Sequence, residues 1–292
     1  MNRKYFNPPR TFAGISQDAA TAFASSRVVI LPIPYDATVE FRVGAREGPR
    51  AIIDASQYLE LYDLELNRDI SEVGIFTCPE LRPLMSGPEA MVERVHAAAR
   101  DLLEEDKFVV MLGGEHTLSV GMVRACKERF RNMSVLSLDA HADLRDEYQG
   151  TGYSHACTVR RIGELCPVVQ AGVRSMSQEE HALIKERGMP VFQAGPATGP
   201  ALADAVTEAL TEEVYISVDL DVFDPAVMPA VGTPEPGGFN WHQVLDMLCE
   251  VCRHKRIAGF DVVELAPSEG PGSCAYLAAK LVYRLIGYCL PR

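Results

Sequence analysis

The feature that most constrains this chain is a series of short, nearly continuous apolar runs that recurs along its length. They are RVVILPIP (27–34), FVVMLGG (108–114), MSVLSLDAH (133–141), PVVQAGVRS (167–175), VYISVDLDVFDP (214–225) and IAGFDVVELAP (257–267). Val and Ile dominate them, and the apolar–polar alternation of a half-exposed strand is missing. Strands covered on both faces have this pattern, which is the mark of a parallel sheet. Between them lie helical stretches at 48–62, 87–106, 117–130, 201–213, 240–254 and 273–289. The clearest is GPEAMVERVHAAARDLLEED (87–106), which starts after Gly-Pro and is rich in Ala, Leu and Glu. Strand–helix alternation along the chain predicts an α/β fold with a parallel sheet between helix layers. No repeat, low-complexity tract or charged linker interrupts the pattern, so one domain over 1–292 is expected, with 1–26 as an N-terminal extension.

Composition then narrows the partners. The formal net charge is −12, which speaks against nucleic-acid binding through a basic face, because phosphate contacts need clustered Lys and Arg. An acidic surface suits a small cationic substrate or simply good solubility. The eight cysteines are scattered through a chain too long to need disulfide staples, which points to a reducing compartment. Cys249 and Cys252 form a CxxC, but it lies in an amphipathic helical stretch and reads as two small apolar residues on a packed face. The N-terminal MNRKYFNPPR has no apolar leader core, and no segment reaches the ~18 apolar residues that cross a bilayer. A cytoplasmic protein with no membrane span is expected.

In parallel α/β sheets, ligands bind outside the carboxyl ends of the strands, and three strand ends in this chain carry unusual residues. LGGEH places His116 just past one apolar run. SLDAHAD places Asp139, His141 and Asp143 at the end of the next, and SVDLDVFDP places Asp219 and Asp221 at the end of a later one. In the DxHxD and DxD runs, alternate residues project to one side of an extended chain and can converge. Charges interrupting buried strands are paired or coordinate metals, and no basic residue in these segments offers compensation. Six ligands exceed what one site with an open position can use. Two dications ~3.5–4 Å apart, sharing a nucleophilic hydroxide, account for them. The set contains no cysteine, which disfavours structural zinc. Mixed carboxylate and imidazole favours Mn²⁺ while leaving Co²⁺, Ni²⁺ and Zn²⁺ open. Four aspartates balance two dications, and the hydroxide leaves the centre at about −1, a charge that repels phosphates and tolerates a cation.

Several longer segments carry a resemblance. GGEHTLSVG, SLDAHADLRDEYQGTGYSHACTVRRI, SVDLDVFDPAVMPAVGTPEPGG and FDVVELAP, with IPYDATVEFRVGAREGPRAIIDAS upstream, are similar to the ureohydrolase family of arginases and agmatinases. The resemblance runs from about residue 28 to the C-terminus. It implies a three-layer α/β/α fold with a mainly parallel sheet of about eight strands. It also implies two Mn²⁺ per chain and hydrolysis of a guanidinium compound to urea and an amine. By the same resemblance, His116 and Asp143 would bind one metal, His141 and Asp221 the other, and Asp139 and Asp219 would bridge them. His155 would shuttle a proton to the leaving amine, and Glu264 would pair with the guanidinium. Homo-oligomers, trimers or hexamers, are a further implication.

Agmatine hydrolysed to putrescine is the favoured reaction at this stage. After DxHxD, arginases carry an Asn- and Ser-containing stretch that reads an α-amino-acid head group. Here LRDEYQGTGYSH (144–155) puts Asp146 and Glu147 where a zwitterion's carboxylate would be unwelcome. Asp146, Glu147 and Glu40 are candidates for the distal amine, each with solvated loop charge as the plain alternative. Aminopropylagmatine, guanidinobutyrate, guanidinopropionate, arginine and formiminoglutamate remain open, the anionic ones through Arg42, Arg46 or Arg145. A metal-dependent deacetylase would not need His116 and Asp143, and a non-catalytic binding homologue would not keep all six ligands. One departure from the family pattern is Glu115, where many members have Asp before the first ligand histidine.

Overall fold

The computed structural model describes residues 10–16, 22–195 and 200–290, so much of the 1–26 extension, including residues 1–9 of its MNRKYFNPPR start, lies outside the described residues. In chain order the elements are α1 (Ala22–Ser25), β1 (Val28–Ile33), α2 (Gly48–Ser56), β2 (Tyr62–Asp63), β3 (Arg68–Asp69), β4 (Ile75–Thr77) and α3 (Pro88–Glu104). They continue with β5 (Phe108–Gly113), α4 (Ser119–Arg129), β6 (Met133–Leu138), α5 (Thr158–Ile162), β7 (Val168–Val173) and α6 (Gln178–Arg187). The last are β8 (Val191–Gln193), α7 (Pro200–Ala209), β9 (Glu213–Asp219), α8 (Trp241–His254), β10 (Arg256–Val263) and α9 (Ser273–Cys289). Eight strands form one sheet in the order β4-β1-β5-β10-β9-β6-β7-β8, and every neighbouring pair is parallel.

The apolar runs are buried on both faces, as their composition requires. Along β5, Val110 and Leu112 join one core cluster while Val109 and Met111 join the other; along β9, Val214, Ile216 and Val218 face one way and Tyr215 the other. Helices α2, α7, α8 and α9 cover the first face through Ile52, Val206, Leu248 and Val282. Helices α3, α4 and α5 cover the second through Val95, Val123 and Val159. The result is the three-layer α/β/α arrangement expected.

Two edge strands, β4 and β8, carry no recognisable run because each has three residues. Two helices end earlier than their composition suggests. The 48–62 stretch leaves the helix at Ser56, turns through Tyr58 and Leu59, and enters the β2–β3 hairpin. The 201–213 stretch ends at Ala209, because Ser134 Oγ takes the Thr211 N–H at 3.0 Å and Glu213 opens β9. Long-range partners outbid helix propensity in both places.

What matters for the site is the centre of the sheet. Strands β5, β10, β9 and β6 are spatial neighbours although far apart in sequence. Being parallel, they deliver their carboxyl ends to one edge of the molecule.

Candidate metal centre and active site

Each central strand ends in a residue of the expected set. His116 follows β5, Asp139 follows β6, Asp219 closes β9 and Glu264 follows β10. His141 lies beside Ser175, past the end of β7. The strand-end backbone also aims the carboxylates. Asp139 Oδ1 accepts the His141 N–H at 2.6 Å, Asp219 Oδ1 the Asp221 N–H at 2.9 Å, and Asp221 Oδ1 the Ala140 N–H at 2.9 Å. One oxygen of each carboxylate is thereby occupied, and the Oδ2 atoms turn towards the two histidines.

Around His116 Nδ1 these oxygens crowd closely: Asp139 Oδ2 at 3.1 Å, Asp143 Oδ2 at 3.2 Å and Asp219 Oδ2 at 3.5 Å. Around His141 Nδ1 lie Asp221 Oδ2 at 2.8 Å and Asp139 Oδ1 at 3.6 Å. Two groups of metal-compatible ligand atoms result, His116/Asp139/Asp219 and Asp139/His141/Asp221, with Asp139 common to both. Asp143 adjoins the first group through His116.

The donor set fits cations. His116 Nε2 lies 3.0 Å from Ser217 Oγ, which itself donates to Asp261 Oδ1 at 2.7 Å. That network assigns the ring proton to Nε2 and turns the Nδ1 lone pair onto the carboxylate oxygens. A lone pair facing three oxygens makes no hydrogen bond, and His116 Nδ1 and Asp139 Oδ2 are both buried without a partner of hydrogen-bonding geometry. A shared cation satisfies all of them. Among the described ion pairs, the four aspartates meet only His116 and His141.

Electrostatics agree. Burial, then repulsion from Asp139, pushes the Asp143 carboxyl up to about 7. Burial, then Asp221 and Asp139, pushes Asp219 well above the carboxylate range. Burial alone would depress the His116 imidazole, but Asp139 and Asp143 outweigh it and raise it. Protons would have to neutralise this crowding of carboxylates; divalent cations at the same atoms do so directly.

The other predicted residues border the same space. A narrow chamber is lined by Glu40, His116, His141, Asp143, His155, Asp219, Asp221, Thr233 and Glu264, with Val39 and Gly232. Glu264 Oε1 accepts the His116 N–H at 2.6 Å, and burial, then Glu115, raises its carboxyl. His155 starts a short helical turn; its Nδ1 lies 3.3 Å from Thr38 Oγ1, and burial lowers its imidazole. Glu115, the departure from the family pattern, is buried and accepts both the N–H and the Oγ1–H of Thr38, at 2.7 and 3.0 Å. Thr38 therefore ties the loop after β1 to His155 and to the residue beside His116. Asp143 and Glu264 are two of the non-glycine residues in the left-handed region, at φ 50 and 65; such strain gathers where surrounding structure holds a site rigid.

Of the three tail candidates, only Glu40 borders the chamber. Asp146 is exposed and paired with Arg160 and Arg161, and Glu147 is exposed. Arg42 meets Glu269, Arg46 meets Asp36, and Arg145 stacks over Tyr148 at 4.8 Å. Sequence reasoning left out Thr38, Ser217 and Tyr148, and gave Asp261 no role in the site. Asp261 is fully buried within β10 and accepts from Tyr215 and Ser217. A charged residue inside an otherwise apolar run, in FDVV, was the available signal for it. The CxxC cysteines are partly buried on α8, packed against the core, and all eight cysteines are free.

Comparisons with known proteins show the family. A sequence profile of the arginase family matches residues 26–287, and the chain belongs to that family. It is 39% identical to the N(1)-aminopropylagmatine ureohydrolase of Synechocystis sp., across 98% of this chain and 95% of that protein. It is 42% identical to the N(1)-aminopropylagmatine ureohydrolase of Thermus thermophilus, across 91% and 92%. Its structure matches the crystal structure of the agmatine ureohydrolase of Thermoplasma volcanium with a TM-score of 0.88 at 30% identity, covering 98% and 96% of the two chains.

Proposed function

We propose that this chain is a ureohydrolase of the agmatinase type, releasing urea and a free amine from a cationic guanidino substrate. The observation that carries the reading is Asp139 shared between two ligand groups, with Glu264 bordering the same chamber. Relatives at 39–42% identity are named for aminopropylagmatine. That moves the weight from agmatine, with putrescine as its product, towards the longer aminopropyl substrate.

The residues divide the work as follows. His116, Asp139, Asp143 and Asp219 would hold one divalent ion and Asp139, His141, Asp219 and Asp221 a second, for which Mn²⁺ suits the oxygen-rich donor set. When bound, such a pair supplies a hydroxide nucleophile at neutral pH. Glu264 presents Oε2 to the guanidinium, its Oε1 being taken by the His116 N–H, and a charge-assisted N–H···O contact there would hold the planar substrate. His155 stands at the chamber wall and hands a proton to the departing amine. Burial lowers its imidazole, so a proton taken from the nucleophilic water would be passed on to the amine rather than held.

Residues 1–292 would act as one domain, in the cytoplasm, within a homo-oligomer such as a trimer or hexamer. Among the described residues no helix is long and apolar enough to cross a membrane.

The test is urea release from agmatine, aminopropylagmatine, arginine and guanidinobutyrate with added Mn²⁺, alongside metal content per chain. Urea from the two amine-tailed substrates and two metals per chain are expected. No urea from any of the four would end the proposal.

A further inference from the structure

Beside the chamber lies a second, roomier cavity, whose walls share Glu40, His141, Asp143, His155 and Thr233 with the first and add Arg145, Tyr148, Ser175 and Ser177 among others. The shared residues stand between the reacting centre and the outer cavity. A substrate whose guanidinium sits against Glu264 must send its tail past them.

Glu40 is the carboxylate placed to meet that tail. Its Oε1 accepts from the Tyr148 hydroxyl at 2.6 Å and its Oε2 from the Gln149 amide at 2.6 Å. A carboxylate offers about four lone-pair positions, so each oxygen has capacity for a further donor, and Glu40 lines both cavities. Both donors come from the loop after DxHxD, whereas Glu40 comes from the loop after β1. The backbone is contorted where the two loops meet: Phe41, next to Glu40, and Gln149, itself a donor to it, sit at φ 60 and 51. Strain of this kind accumulates at ligand clamps.

Other acidic groups nearby are committed elsewhere. Glu180, unlike the half-buried Glu40, is buried and closes the N-terminal capping box of α6, with one oxygen on the Leu144 N–H and the other on the Ser177 N–H. Asp143 belongs to the metal-ligand cluster, and Asp146 is paired with arginines at the surface. Of the arginines considered for an anionic tail, Arg42 and Arg46 are likewise paired, and Arg145 lies against the Tyr148 ring in the outer cavity.

We propose that Glu40, held by Tyr148 and Gln149, accepts the cationic nitrogen in the tail of a guanidinoalkylamine, and that the outer cavity carries the chain beyond that nitrogen. Glu40 thereby selects for amine-tailed guanidines, with the longer polyamine form accommodated by the second cavity. The inference rests on the guanidinium reading of the inner chamber.

The experiment compares kcat/KM of the Mn²⁺-loaded wild type, Glu40→Gln and Glu40→Asp on agmatine, aminopropylagmatine and butylguanidine, which lacks the tail amine. In Glu40→Gln, preference for each amine-tailed substrate over butylguanidine should fall at least about tenfold, mainly through KM, because a charge-assisted contact made in ground and transition states alike is lost. Glu40→Asp, which keeps the charge on a shorter arm, should fall between the two, and it carries the test alone if the Gln variant does not fold. Equal loss on all three substrates, or no loss, overturns the role of Glu40 while leaving the ureohydrolase reading intact. No urea from the wild type on any of them overturns both.

Discussion

At the scale of single residues, the site works by division of labour between atoms of one side chain. In Asp139, Asp219 and Asp221, Oδ1 is held by a backbone N–H while Oδ2 faces a histidine. In His116, Nε2 is held by Ser217, and through it by Asp261, so that Nδ1 is free to ligate. Asp261→Asn should therefore weaken metal binding by ~10–100-fold without touching a ligand, measured by titration with Mn²⁺ after chelation; unchanged affinity would remove Asp261 from the support of His116. His155 should behave in the opposite way. His155→Ala is expected to keep both metals and lower kcat by ~10²–10⁴-fold, and a variant with full turnover would take the proton shuttle away from this residue. Five of the six ligand candidates were legible because DxHxD and DxD place like chemistry at period two, and His116 because it stands just past an apolar run. Thr38, Ser217 and Tyr148 were not, because a lone hydroxyl carries no pattern until another element brings its partner.

At the scale of elements, the chain turns at strand ends under tight steric control. Gly114 lies between β5 and His116; its carbonyl accepts the Glu264 N–H at 2.8 Å, and its own N–H reaches Ile33 O at 3.0 Å. A Cβ there would overlap the backbone carbonyl of Tyr35, so only glycine lets the loops after β1, β5 and β10 meet. Gly114→Ala should destabilise the protein by ~1–3 kcal/mol and reduce metal uptake, read by urea denaturation and metal content; wild-type values for both would show that the loops can part. The long buried strands and four of the six expected helices were readable from composition alone. The early ends of α2 and α7 were not, since both are set by contacts with distant segments.

At the scale of the whole molecule, the C-terminal helix is fastened to the β2–β3 hairpin by a buried charge. Asp63 Oδ2 lies 3.1 Å from Arg284 Nε and 3.4 Å from Lys280 Nζ, while Oδ1 accepts the N–H groups of Glu65 and Leu66. Burial raises the Asp63 carboxyl, but the Leu66 N–H, Arg284 and Lys280 together outweigh it and hold it below its ordinary value of 3.8. A depressed carboxyl stabilises the fold above its unfolded-state pKa, and that contribution is lost as pH falls through the folded value. The gap in Tm between wild type and Asp63→Asn should hold from pH 7 to about 4 and shrink below it; a gap independent of pH would mean that Asp63 acts by packing. The sequence by itself determined the α/β class, the buried character of the sheet and the six ligand candidates, because burial on both faces and alternation at strand ends are local patterns. Only the tertiary structure decided that β5, β10, β9 and β6 stand side by side, that Glu40 rather than Asp146 or Glu147 faces the chamber, and that Asp261 stands behind His116. Those facts depend on strand order and on loops meeting across 75 or more positions of chain, and no local pattern records which distant segments a sheet will bring together.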